Sequence, residues 1–190
     1  MKVEIKAPKN LSEITLGKYL EFQKFKDPTP EQVVGLFCEG DIRKVPKAAT
    51  NQIAEDVINI LQSGVAIHAP TIEIDGREFG MCDFANFTTG EYIDTEAFGK
   101  NQQLDKILAV IYRPITKRIG ERYLVEDYED HHQQNAEMMR EVGMDVVNGL
   151  MLFFSTIENE LLETTRRHSK SQLKEKLKEA KEILGGGMSS

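Results

Sequence analysis

The chain has 190 residues, 40% hydrophobic and 29% charged, which suffices for one core or for two small units sharing one. Of the formal net charge of −7, residues 166–190 hold seven Lys/Arg against three Glu, leaving −11 on residues 1–165 and arguing against a broad nucleic-acid surface on that body. The longest strongly apolar run, GLMLFF at 149–154, is far below the roughly 20 residues of a membrane span, and MKVEIKAPKN lacks the apolar stretch of a signal peptide, so a cytosolic protein without membrane contact is expected.

In chain order, MKVEIKAP alternates apolar and charged residues up to Pro8 and predicts a short edge strand or extended arm. Thr15 is placed to cap a helix over 16–25, with Leu16, Tyr19, Leu20 and Phe22 near one face. Thr29-Pro30 opens a second helix, PEQVVGLFCEG, which ends at Gly40. A third, over 47–63, carries Ile53, Val57, Ile60 and Leu61 and closes at Gly64. TIEIDGREFG then alternates on either side of Asp75-Gly76, which predicts a hairpin with strands at 71–74 and 77–80. Thr88 and Glu91 have the spacing of a capping box for a helix bearing Tyr92, Ile93 and Phe98.

NQQLDKILAVIYRP predicts an apolar helix that Pro114 must end or kink. Beyond it, RYLVEDYEDHH begins as a strand and turns polar, and a helix is expected from 134 to about 141. A long helix over 144–165 has Met144, Val147, Leu150, Met151, Phe154, Ile157, Leu161 and Leu162 as its apolar stripe, broad enough to predict the centre of the core. In the basic C-terminal helix, Leu173, Leu177, Ala180 and Leu184 form a narrow seam for docking on a partner or on the body, and GGGMSS comes after it as a flexible end.

The chain repeats itself. ITLGKYLEFQKF (14–25) and FTTGEYIDTEAF (87–98) share Thr, Gly, Tyr and Phe at the same four places, EQVVGLFC (31–38) resembles DKILAVIY (105–112), and RKVPKAATN (43–51) resembles REVGMDVVN (140–148). The predicted fold class is therefore mainly α (α+β): two related three-helix units, 14–63 and 87–165, around a common core and an approximate twofold axis. A small β-hairpin at 71–80 joins them, within one domain over 1–165, and an extended C-terminal helix is expected at 166–190. On this reading Tyr19, Phe25, Tyr92 and Phe98 are core anchors.

Chemistry is sparse. Cys38 and Cys82 are too few for a disulfide scaffold, lie in no CxxC pair and read as reduced thiols. Glu126, Asp127, Glu129, Asp130, His131 and His132 form the best metal-like cluster, but a bundle carboxylate site needs a second ExxH, so a solvated acidic loop is favoured and no catalytic, cofactor or metal residue is assigned. No phosphate-binding, dinucleotide-binding, nucleophile-elbow or HExxH motif occurs. Arg113, between an apolar helix and a proline, is expected to cap carbonyls or to clamp a carboxylate of VEDYED in a structural ion pair. Arg166, Arg167, Lys170, Lys174, Lys176, Lys178 and Lys181 alternate with Glu175, Glu179 and Glu182, a pattern that fits surface ion pairs better than DNA contact.

FTTGEYIDTEAF, LDKILAVIYRPI, YLVEDYE and MDVVNGLMLFFSTIENELL occur in the order and approximate spacing found in small virion or tail-assembly proteins of tailed bacteriophages, particularly crAss-like phages, and over 12–165 the chain resembles that group. It departs at Gly143 and Ser155, where the group often has a proline and an aromatic residue, and the resemblance carries over no site residues. It implies a non-enzymatic virion protein in the tail, neck or internal cargo, contacting other virion proteins in multiple copies after assembly in the host cytoplasm. A tail-assembly chaperone not retained in the particle is the alternative, and a metal-dependent enzyme using 126–132 is the rival from another class.

Overall fold

A computed structural model describes residues 5–128 and 132–156, and the chain falls into two compact units, Met1–Leu150 and Met151–Ser190. Among the described residues the fold is α+β, with seven α-helices and a four-stranded antiparallel sheet in the order β1-β2-β3-β4.

Local chemistry sets most of the element boundaries. Helix α1 (Leu16–Phe22) starts where the Thr15 hydroxyl accepts the Lys18 amide, three residues shorter at its C-terminus than the spacing suggests. Helix α2 (Pro30–Phe37) begins with a full capping box, Thr29 and Gln32 each accepting the other's backbone amide, and buries Val33, Val34 and Phe37. Helix α3 (Lys47–Gln62) turns Thr50, Ala54 and Val57 inward and stops before Gly64, whose φ of +66° ends the helix. Strands β1 (Thr71–Ile74) and β2 (Arg77–Met81) are joined by Asp75 and Gly76 at φ values of +50° and +74°, the left-handed pair that a two-residue hairpin turn requires.

Helix α4 (Thr89–Lys100) carries the second capping box, with Thr88 and Glu91 as reciprocal acceptors. Helix α5 (Leu104–Ile111) passes without a loop into β3 (Tyr112–Ile119), which turns at Gly120 into β4 (Arg122–Val125). Helices α6 (His132–Met139) and α7 (144–156) come next, residues 144–150 closing the first unit and 151–156 opening the second.

The core differs from the expected one in three respects. Its centre is α5, whose run Ile107–Ile111 is buried at every position, rather than the helix starting at Met144. On α7 Met144, Val147 and Leu150 are buried, Met151 and Leu152 are exposed, and the expected continuation through Ile157, Leu161 and Leu162 lies outside the described residues. Tyr92 is 62% exposed, Phe25 is exposed and Tyr19 and Phe98 are half-buried, so the repeated aromatics are not core anchors. Leu16 and Ile14 hold that part of the core instead.

The expected hairpin is half of a larger sheet. Strands β3 and β4 supply the rest, β4 being the strand expected at the start of RYLVEDYEDHH, and Pro114 ends α5 by entering β3: it stands opposite Phe79, and its carbonyl accepts the Glu126 amide at 2.9 Å. The amide that proline lacks falls at the end of the β3–β4 ladder, where its loss costs little. Arg118 on β3 reaches across to Glu78 on β2 at 2.8 Å, tying the two hairpins together on the exposed face. The turn at 140–144 closes on the start of α1, whose first free amides donate to it, Leu16 to Val142 O at 2.8 Å and Gly17 to Arg140 O at 2.7 Å. Among the described residues the N-terminal arm makes one antiparallel bridge, Lys6 to Glu39.

Candidate functional site

Among the described residues lies an open concavity of about 930 Å³ with charged groups in its lining. Its floor is the end of β2, the start of β3 and the first turn of α4, and its wall is β4 with the residues after it.

Glu91 is the deepest charge. The capping box points its carboxylate at the start of its own helix, where Oε2 accepts the Thr88 amide at 2.6 Å, while Oε1 lies 3.0 Å from Arg113 Nη2. Only 3% of the Glu91 side chain and 13% of Arg113 are exposed, so neither charge is stabilised by water and each depends on the other. Arg113 thus makes a structural ion pair, with a partner other than the expected VEDYED carboxylates. It sits on β3, two residues past the helix end, and its Nε is buried with no hydrogen-bond partner among the described residues. Sequence spacing marked Glu91 as a capping residue, but a contact from 91 to 113 depends on tertiary structure and leaves no local signal.

Cys82 borders the same pair. Burial pushes its thiol up to about 11, outweighing the Arg113 guanidinium that pulls the other way, and the Glu91 carboxylate adds to the rise. The thiol is therefore protonated near neutral pH and is a poor nucleophile. Burial also raises the thiol of Cys38. Tyr123 on β4 lies over Gly80 on β2, with its hydroxyl donating to Pro70 O at 2.8 Å; a Cβ at position 80 would stand 2.3 Å from the ring, so only glycine lets the two strands hold the ring flat. On the rim Glu126 pairs with Arg77 at 3.3 Å, and Tyr128 donates to Asp94. The carboxylates of Asp83, Glu91 and Glu126 are each engaged by a backbone amide or a cation.

No protein-family model, curated protein or solved structure is detectably similar to this chain. Function therefore has to be argued from its own residues and from the resemblance in segment order.

Of the expected docking residues, Leu173, Leu177, Ala180 and Leu184, together with the basic positions Arg166, Arg167, Lys170 and Lys174, lie outside the described residues. So do Glu129, Asp130 and His131, and of His132 only the backbone is described, leaving Glu126 and Asp127 as the described part of the metal-like cluster. Among the described residues no three His, Cys, Asp or Glu side chains gather as a metal site would require, and no helix is long and apolar enough to cross a membrane. Sequence reading missed the exposed apolar side chains of the second hairpin, Ile119 at 57% and Leu124 at 54%, because a strand that alternates them with Lys117, Arg118 and Arg122 lacks an obvious core face.

Proposed function

We propose that the chain is a non-enzymatic bacteriophage virion protein that acts by protein–protein contacts in the tail, neck or internal cargo of the particle. This reading rests on the order of four segments, which resembles that of small phage virion and tail-assembly proteins. FTTGEYIDTEAF spans the cap and most of α4, LDKILAVIYRPI runs from α5 into β3, YLVEDYE covers most of β4 and extends past its end, and MDVVNGLMLFF opens α7. They fall on secondary-structure elements and their ends, as expected of a resemblance carried by architecture rather than by a catalytic motif. The buried Arg113–Glu91 pair and the protonated Cys82 thiol fit a concavity built for stability.

Internal duplication fits the same picture. The bridge of Lys6 to Glu39 recurs, at one offset, as the pairing of Gly80 with Arg113. Asn10 and Asp83 each cap a short 3-10 turn, Thr15 and Thr88 each cap the helix after it, and α2 and α5 are both eight residues long, leaving through Cys38 and Tyr112 into extended backbone. We read these as two related units whose likeness starts in the strands before the helices, with β3, β4 and α6 elaborating the second. Two similar units on one chain suit a part that touches neighbouring copies or neighbouring proteins in an assembly.

Quantitative mass spectrometry of purified particles of the encoding phage tests this. The chain is expected at a stoichiometric copy number relative to the other tail or neck proteins. Its absence from particles, with abundance in infected-cell lysate, would replace this reading with that of an assembly chaperone.

A further inference from the structure

Strand β4 ends the sheet, and its chemistry suits one particular neighbour. The pairs of Ile119 with Arg122 and Lys117 with Leu124, and the Glu126 amide on Pro114 O, turn the main-chain groups of residues 122, 124 and 126 toward β3. By the alternation of a strand, Tyr123 and Val125 turn theirs outward, where the described residues provide no further strand. The side chains alternate as well. Tyr123, over Gly80, and Val125, opposite Ile115, lie on one face, while Arg122, Leu124 and Glu126 lie on the face that carries Phe79 and Arg77.

We propose that β4 pairs antiparallel with β4 of a second copy of this chain, about a twofold axis through Leu124, so that two four-stranded sheets join into one. In this register Tyr123 and Val125 of opposite copies exchange the outward hydrogen bonds. Leu124 meets Leu124 at a non-hydrogen-bonded position, where cross-strand side chains come closest. Arg122 stands opposite Glu126, and this charge complementarity selects the register. Arg122 has no carboxylate partner among the described residues, whereas Glu126 has only the exposed Arg77. A slip by one residue along either copy would turn inward-facing main-chain groups against outward ones and break the ladder. The like charges Glu121 and Asp127 fall outside Arg122–Val125, beyond the ends of the ladder. Pairing would cover Leu124, the apolar side chain that the monomer leaves 54% exposed on this strand, and would remove the open edge that makes such strands association-prone. The other edge, β1, lies beside residues 141–146 and is less open to pairing.

The ladder is short, so the dimer is weak and concentration-dependent rather than obligate. The inference rests on the edge and its charges alone and holds wherever the chain acts.

Sedimentation equilibrium of the full chain, with three variants, provides the test. The wild type is expected to show a reversible monomer–dimer equilibrium. Val125→Pro removes an amide that the monomer does not use, and should abolish the dimer while leaving the melting temperature nearly unchanged. Arg122→Glu sets like charges opposite each other twice and should raise the dimer Kd by about tenfold. Leu124→Cys should give a covalent dimer on mild oxidation, because the wild-type cysteines are both buried. A wild type that stays monomeric up to concentrations on the order of 1 mM would overturn the proposal. So would a dimer that Val125→Pro and Arg122→Glu leave intact and Leu124→Cys fails to cross-link.

Discussion

Arg113→Ala is expected to destabilise the fold by about 3–5 kcal/mol, the usual cost of removing one partner from a buried ion pair. The reason is what remains. Glu91, 3% exposed, would keep one hydrogen bond from Thr88 and lose its one cation among the described residues, so a carboxylate would be left in a site with little water to solvate it. At the size of this chain the loss corresponds to a fall in Tm on the order of 10 °C. Glu91→Ala should cost as much or more, because it strands the guanidinium and also removes one arm of the α4 capping box. The double variant Arg113→Met/Glu91→Leu removes both charges together and should recover much of the stability lost in either single change, since buried pairs are often replaceable by apolar groups of similar volume. Calorimetric melting of the four proteins checks this. A Tm for Arg113→Ala equal to the wild type, together with impaired association, would instead make Arg113 a contact residue.

The second large effect is expected at Gly149, where two contributions of opposite sign compete. Alanine in place of a helical glycine normally stabilises by up to about 1 kcal/mol. Here a Cβ would stand 2.0 Å from Ile67 O and 2.6 Å from its carbonyl carbon, and these are main-chain atoms with no rotamer to escape into. The segment cannot retreat freely either, because Ile67 N donates to Asp145 O at 2.9 Å and Asn148 Nδ2 to Val65 O at 3.1 Å, stitching it to the helix beside the contact. Overpacking against fixed backbone costs typically 1–3 kcal/mol or more, so the clash outweighs the propensity gain. Gly149→Ala should therefore lower the urea midpoint. Gly99→Ala, in a helix with nothing within 4 Å of the added atom, should raise it slightly. The opposite signs of the same chemical change make the pair decisive: two stabilising substitutions would mean that 65–67 does not lie against α7.

What could be read from the sequence was local in origin. The caps at Thr15, Thr29 and Thr88 and the turn at Asp75-Gly76 each involve residues at most three positions apart, so spacing alone reveals them. Burial was harder to read. In α1 the innermost residue is Leu16, whose repeat counterpart is the exposed Thr89, and in α4 the innermost is Glu91, whose counterpart is Lys18. Shared letters at Tyr19 and Tyr92 therefore said that two helices start alike and nothing about which side each turns inward.

Half of the second hairpin was hidden for a different reason: RYLV was expected to begin a strand and forms β4, whereas β3 was not expected. Residues 116–119 of β3 are exposed and its Pro114 is a residue that strands rarely tolerate, so neither alternation nor composition marked it. Its position is fixed by contacts that the chain makes only when folded, above all Tyr123 over Gly80 and Arg118 on Glu78. The Arg113–Glu91 pair belongs to the same class. Both members were singled out from sequence, each for its own neighbourhood, and only the fold joins them.

Whether this chain works by contact inside a phage particle is tested most directly by a cryo-electron microscopy reconstruction of that particle, refined in the tail and neck and combined with the protein inventory of its interior. The expected result is density that fits the α+β body in contact with other virion proteins, or recovery of the chain among the internal cargo. A complete reconstruction and inventory without the chain would contradict a role in the virion.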